Sequence, residues 1–174
     1  LEKVLDFIEA TKLQRYERAK MTLYQTCLAC SEKDAQLIRQ DAPEVPTVVI
    51  PNGVDLSTFV PSRHLESRYS TLLYVGAMDY YPNIDAVQFF FRTMYEPLRR
   101  AVVNLRVQVV GHTPPPEIRQ LAELPGVEVT GSVPDVRPYY EQATVFIVPL
   151  RLGGGTRLKI VEAMAMGLPV VSTT

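Results

Sequence analysis

The run Gly153-Gly154-Gly155-Thr156-Arg157-Leu158-Lys159-Ile160-Val161-Glu162-Ala163-Met164-Ala165-Met166-Gly167 joins a glycine loop to a helix bearing two cations and one carboxylate. Glycines have no Cβ, so backbone N–H groups can come close to an anion, and a helix N-terminus behind them adds roughly half a positive charge. That chemistry suits a phosphorylated ligand. Arg157 falls in the first turn, where side chains lean back toward the loop, so a bound anion would meet both Arg157 and Lys159. The competing interpretation is a solvated Lys159/Glu162 pair worth ~0.2–0.5 kcal/mol beside glycines that only turn the chain. Thr156 is the expected N-cap, and Gly167 followed by Pro169 is the expected stop.

The elements that must hold this loop follow from periodicity. On a helical wheel Leu158, Ile160, Val161, Met164 and Ala165 share an apolar arc, with Glu162 just past its edge and Lys159 further round. Upstream, short β-branched runs alternate with helical stretches. Strands are predicted at 72–75, 105–110, 127–129, 145–148 and 169–171, and helices at 83–100, 116–123, 135–142 and 156–166. Helix 83–100 is expected to pack through Ala86, Val87, Phe90 and Leu98. Strict alternation argues an α/β fold with a doubly wound parallel sheet, whose ligands bind outside the carboxyl ends of the strands. Four loops at that edge carry glycine: Gly76 to Asp79, Gly111-His112-Thr113, Gly131 to Asp135, and the loop from Leu150 to Thr156.

The first 50 residues read as helix 1–21, a buried strand at 23–30, a helix from the N-cap Ser31 with acidic Asp34 at N3 through Gln40, and a strand at 47–50. Asn52-Gly53 calls for a tight turn, and residues 52–70 read as a linker. A net charge of −1 gives no electrostatic footprint for nucleic acid. No apolar run approaches the ~20 residues of a membrane span, and no leader opens the chain. Cys27 and Cys30 are expected as two buried, reduced thiols of a cytoplasmic protein, since strand geometry would point them to opposite faces and no second pair completes a zinc site. The last strand ends without a covering helix, which suggests a fragment of a larger two-domain protein.

Five segments carry a family resemblance: Val49-Ile50-Pro51-Asn52-Gly53-Val54-Asp55 with Phe59, Tyr74-Val75-Gly76, Val109-Val110-Gly111, residues 127–135, and above all residues 149–171. Together they resemble the donor-binding C-terminal domain of retaining GT-B glycosyltransferases of group 1 (family 4), with a remnant of the N-terminal domain. The resemblance implies a Rossmann-like doubly wound parallel sheet, truncated at its C-terminal end. Residues 1–51 would be the acceptor-side remnant, 52–70 the interdomain linker and 71–174 the incomplete nucleotide-sugar domain. The implied substrate is a UDP- or GDP-sugar, with no cofactor and no metal, and a hexose-type unit would pass with retention to a glycan or lipid-linked acceptor. The fragment alone would be catalytically silent. Bacterial polysaccharide biosynthesis in the cytoplasm is the implied setting, with peripheral membrane association if the acceptor is lipid-linked.

By the same resemblance, Glu162 would bind the nucleotide ribose, while the first glutamate of the family's pair falls on Gly154. The amides of Gly154, Gly155 and Thr156 would then serve the sugar and pyrophosphate. The basic pair that many members carry after the first strand is replaced here by Ala77 to Asn83, which leaves phosphate neutralisation to the catalytic candidates Arg157 and Lys159. Gly76 and Gly111 would leave room for the nucleotide, and Ser132, Val133 and Pro134 would meet its base. His112 could touch phosphate or ribose. At the hinge, Gly53 would supply positive φ and Asp55 would cap the turn. Two alternatives stay open: a GT-B-fold sugar-nucleotide epimerase, and a non-catalytic nucleotide-binding or interaction module.

Overall fold

The computed structural model describes residues 2–61, 69–153 and 156–173, with side chains from residue 5 onward. The chain divides into two compact units, Leu1–Asn52 and Gly53–Thr174.

In the first unit, α1 (Glu2–Met21) and α2 (Glu32–Asp41) accompany a two-stranded parallel sheet of β1 (Cys27–Ala29) and β2 (Thr47–Val49), in register from Cys27 opposite Thr47. The Ser31 cap forms as expected: its hydroxyl oxygen accepts from the Asp34 amide at 3.1 Å, satisfying one of the free donors of α2. The expected strand 23–30 shrinks to three residues. After α1 the chain turns, with Leu23 N–H donating to Lys20 O and Tyr24 N–H to Met21 O, and both side chains stand in solvent at 71% and 66% exposure. Apolar identity misled here: residues 23 and 24 bond back into the turn after α1, and among the described residues β1 pairs with β2 alone, over Cys27–Ala29. Cys27 and Cys30 are thiols rather than a disulfide, half-buried rather than fully buried, and Cys30 Sγ donates to Asp34 Oδ2 at 3.6 Å.

The tight turn expected at Asn52-Gly53 is also displaced. Gly53 is not among the positive-φ glycines, and the turn lies at residues 56–58 instead. Asp55 builds it: its carboxylate accepts from the Ser57 amide at 2.8 Å, the Ser57 hydroxyl at 2.6 Å and the Thr58 hydroxyl at 2.7 Å. The side-chain bond from Ser57 is the main reason the Asp55 carboxyl is held down at about 2.

The second unit is a five-stranded parallel sheet in the order β5-β4-β3-β6-β7, with β3 (Ser70–Val75) central, flanked by β4 (Leu105–Val110) and β6 (Val145–Val148), and with β5 (Val127–Gly131) and β7 (Val170–Ser172) at the edges. The order reverses at β3, so the loops leaving β3 and β6 open the crevice where such sheets bind ligands. Leu73, Tyr74, Val107, Val109, Phe146 and Val148 are buried in the core, each aliphatic one contributing ~1.5–3 kcal/mol through burial. Gln108 is also buried, at 2% exposure, and donates through Nε2 to Glu128 at 2.9 Å across β4 and β5.

The single helix expected over 83–100 is three pieces: α3 (Tyr81–Phe90), a π-helical turn over Phe91–Tyr95, and α4 (Glu96–Ala101). Ala86, Val87 and Phe90 pack inward as expected, and the wider turn lets Tyr95 reach the Pro125 carbonyl at 2.6 Å. Beyond β4 come α5 (Pro116–Arg119) with a 3-10 turn over Gln120–Glu123, then α6 (Arg137–Gln142) and α7 (Leu158–Ala165).

Candidate functional site

The site is built on α7 and on the carboxyl ends of β3 and β4. Helix α7 starts one to two residues later than expected. Arg157, not Thr156, occupies the N-cap position, and no side chain caps it. Its far end closes in a Schellman arrangement: Gly167, at φ 77°, donates to Met164 O and Leu168 N–H to Ala163 O.

The inward face of α7 also differs from the wheel. Leu158 and Met164, placed on the apolar arc, are 48% and 64% exposed, whereas Ala163 is fully buried. Lys159, expected further round, is also turned inward. Its Nζ donates to Asn83 Oδ1 at 3.0 Å and to the Tyr74 hydroxyl oxygen at 3.4 Å, and lies 4.6 Å from the centroid of the Tyr74 ring. Ile160 of the arc packs against the core as expected, so Lys159 shares the inward side of α7 with Ile160 and Ala163.

Among the described residues no carboxylate forms an ion pair with Lys159, so the solvated Lys159/Glu162 pair is absent. Burial, with Arg157 nearby, pushes the Lys159 ammonium down to about 8, against a smaller opposing pull from Glu162. Burial likewise pushes the Tyr74 hydroxyl up, so Tyr74 remains a neutral donor.

Glycine is required where these parts meet. A Cβ on Gly76, at the end of β3, would lie 2.8 Å from Lys159 Nζ and 2.9 Å from Asn83 Cγ. A Cβ on Gly111, at the end of β4, would lie 1.8 Å from the Gly76 carbonyl oxygen. The loops are also laced together by backbone bonds: Gly76 N–H to Val110 O, Met78 N–H to His112 O, and Gly111 N–H to Gly131 O. The result is a floor of main chain with the lysine ammonium at its side.

The loop leading into α7 is braced at both ends. Arg151 makes a bidentate ion pair with Asp85 of α3, at 2.5 and 3.1 Å, and covers the Phe89 ring at 4.4 Å. Arg157 folds back so that Nη2 donates to Leu152 O at 3.2 Å and to Gly153 O at 2.9 Å. Gly154 and Gly155 lie outside the described residues. Glu162 points to α6, where its carboxylate accepts from the Tyr140 hydroxyl at 3.1 Å. Burial and then the Glu162 charge push that hydroxyl up.

The structure therefore brings Lys159, Gly76 and Gly111 together, with Asn83 and Tyr74 as partners that the motif reading did not assign. Val133 and Pro134 line a groove of about 560 Å³ with Gln108, Glu128 and Tyr139. His112 shares a hydrogen bond with Thr113 Oγ1 at 3.0 Å and has Asp79 at 3.9 Å. Among the described residues, no group of three or more His, Cys, Asp or Glu side chains is placed to share a metal ion. None of the described helices is long and apolar enough to cross a membrane.

A glycine-floored carboxyl edge flanked by a half-buried lysine, on a sheet of this order, agrees with the family model for glycosyl transferases group 1, which matches residues 69–174. The chain belongs to this family. Among solved structures, this group 1 chain resembles sucrose-phosphate synthase from Thermosynechococcus elongatus, with 23% identity and a TM-score of 0.72 over 91% of the chain and 43% of that protein. It also resembles TarM, with 16% identity and a TM-score of 0.74 over 92% of the chain and 32% of that protein. A glycosyltransferase from Rickettsia africae superposes with 16% identity and a TM-score of 0.71, over 92% of the chain and 47% of that protein. These likenesses establish the fold, a Rossmann-like GT-B domain, and the chain spans less than half the length of each of the three. Comparison with curated sequences finds no match.

Proposed function

We propose that this group 1 chain is the donor-binding part of a hexosyltransferase. It would hold a UDP- or GDP-sugar at the carboxyl edge of its sheet, and the sugar would pass with retention to a glycan or lipid-linked acceptor bound elsewhere in the full-length protein. The observation that carries the reading is Lys159: a half-buried ammonium beside a side-chain-free floor, whose hydrogen-bond partners among the described residues are neutral. Such a charge, offset in part by Glu162 and by no ion pair among the described residues, favours an incoming anion.

A nucleoside diphosphate leaving group gains negative charge as the glycosidic bond breaks, and a preplaced cation stabilises that change. Lys159 is the candidate for this role. Arg157, bound to the carbonyls of Leu152 and Gly153, shapes the glycine loop from which the amides of Gly154, Gly155 and Thr156 would meet sugar and pyrophosphate. Glu162 would take the ribose hydroxyls, its free oxygen being the one that Tyr140 does not hold. Gly76 and Gly111 leave the floor open, and Val133 and Pro134 would border the base. The TarM structure that contains UDP supports a nucleotide ligand. Without an acceptor-binding part the chain would bind donor and turn over nothing, in the cytoplasm or at its membrane face.

Calorimetric titration with UDP, GDP and ADP, without added metal, tests this on the wild-type chain, Lys159→Ala and Glu162→Ala. Saturable binding of one nucleotide that both substitutions weaken is the expected result. Equal binding by Lys159→Ala would remove the reading.

A further inference from the structure

A lysine side chain has a flexible four-carbon stem, so a buried ammonium needs fixed partners if it is to meet a ligand at one place. Asn83 and Tyr74 supply them. Asn83 Oδ1 accepts from Lys159 Nζ at 3.0 Å and from the Tyr74 hydroxyl at 2.8 Å. Its amide cannot turn over, because Nδ2 donates to Ala77 O at 2.8 Å in the loop leaving β3. Asn83 is 7% exposed and Tyr74 1%, so neither has another rotamer available without repacking the core. The Tyr74 ring adds a π face to the ammonium from below.

We infer that Asn83 and Tyr74 are positioning residues for donor binding, which hold the Lys159 ammonium at the Gly76 edge through neutral partners that leave its charge to a ligand. This rests on the reading of Lys159 as the phosphate contact. The chemistry of the partners is what matters. A carboxylate at position 83 would offer the lysine an acceptor, but would lose the bond to Ala77 O, cancel the lysine's charge and compete with any anion. An amide offers the same oxygen with no net charge. The charged groups that act on the ammonium are Arg157, which disfavours its protonated form, and Glu162, which favours it. From β3 and α3 the groups in contact are the neutral Tyr74 and Asn83, and Asp85 of α3 is occupied by Arg151.

Asn83→Asp keeps size and the acceptor for Lys159 and adds one negative charge, at the loss of the Nδ2 bond to Ala77 O, whose cost melting temperature reads separately. The test follows the Lys159 Cε resonance through a pH titration of the full, lysine-labelled chain, with inorganic pyrophosphate and UDP titrated calorimetrically near pH 7.5. In Asn83→Asp the Lys159 midpoint should rise by about one unit or more, and pyrophosphate should bind about tenfold more weakly. Tyr74→Phe, which keeps the ring and the fold, should lower the midpoint and weaken pyrophosphate about threefold. A purely packing role for the two residues would change melting temperature and leave the midpoint in place. An unmoved midpoint with unchanged pyrophosphate affinity in both variants overturns the inference. The underlying reading fails separately, if Lys159→Met binds UDP as tightly as wild type whatever position 83 carries.

Discussion

Lys159→Met should make the chain more stable at neutral pH while weakening its hold on a diphosphate. The unfolded lysine titrates near 10.5 and the folded one near 8, a difference that corresponds to ~3 kcal/mol. The sign follows from where the proton is bound. Below about 8 the lysine is charged in both states and the folded chain bears the whole desolvation cost. Between about 8 and 10.5 the unfolded state binds more protons, so wild-type stability rises with pH across this window, and above it the cost is gone. Methionine keeps an unbranched stem and removes the charge, and Asn83 Oδ1 keeps its bond from Tyr74. The variant should therefore gain ~1–3 kcal/mol near pH 7, some of the full amount being offset by the lost lysine hydrogen bonds. Urea denaturation of both chains at several pH values reads the difference between them, which cancels every other titrating group. That difference should shrink toward zero or reverse by pH ~10.5. A variant that is no more stable at pH 7, with a difference that does not change with pH, would refute the claim that burial depresses this lysine.

Three further outcomes follow from the geometry. Gly111→Ala should unfold the chain or cost more than ~3 kcal/mol, because its Cβ would sit 1.8 Å from the Gly76 carbonyl oxygen, while Gly53→Ala, with nothing within 4 Å, should stay within ~1 kcal/mol of wild type. Paired melting temperatures decide it. Tyr140→Phe should cost ~1 kcal/mol in stability and also weaken UDP binding, because Glu162 loses the hydroxyl that orients its carboxylate; unchanged UDP affinity would count against a Glu162 role. The Asp55 carboxyl should titrate near 2 by NMR, with Ser57→Ala moving it back up, since the turn's stabilisation is present above the ordinary carboxylate range and lost as pH falls through that value.

Much of the sheet was readable in one dimension. Leu105–Val110 and Val145–Val148 form with the expected ends because each β-branched run is bounded by turn-forming residues. The π turn at Phe91–Tyr95 was not readable, since it is a slip in main-chain hydrogen bonding that leaves the apolar pattern nearly intact. Residues 23–30 show the converse error, an apolar composition with no ladder partner for most of its length. In the site, the motif pointed to Lys159 and Glu162, but their surroundings were hidden by distance along the chain. Asn83 is 76 residues from Lys159 and Tyr74 is 85, and their bonds add Lys159 to an inward side of α7 that keeps Ile160 of the arc but leaves Leu158 and Met164 exposed. A polar residue among apolar ones in the first turn of α3 was the available clue to Asn83.

The contact between Gly111 and Gly76 also limits how this enzyme family member could be re-engineered. On the proposed donor-binding reading, two neighbouring strand ends with no space for a methyl group would present the ligand with atoms that every genotype encodes identically. Substitution cannot recolour that surface, so drift and design alike must act on the rim: the loop before α7, the hydroxyl that steers Glu162, and the amide that steers Lys159. A library built for altered donor choice would waste its diversity on the two glycines and should spread it across those bordering positions.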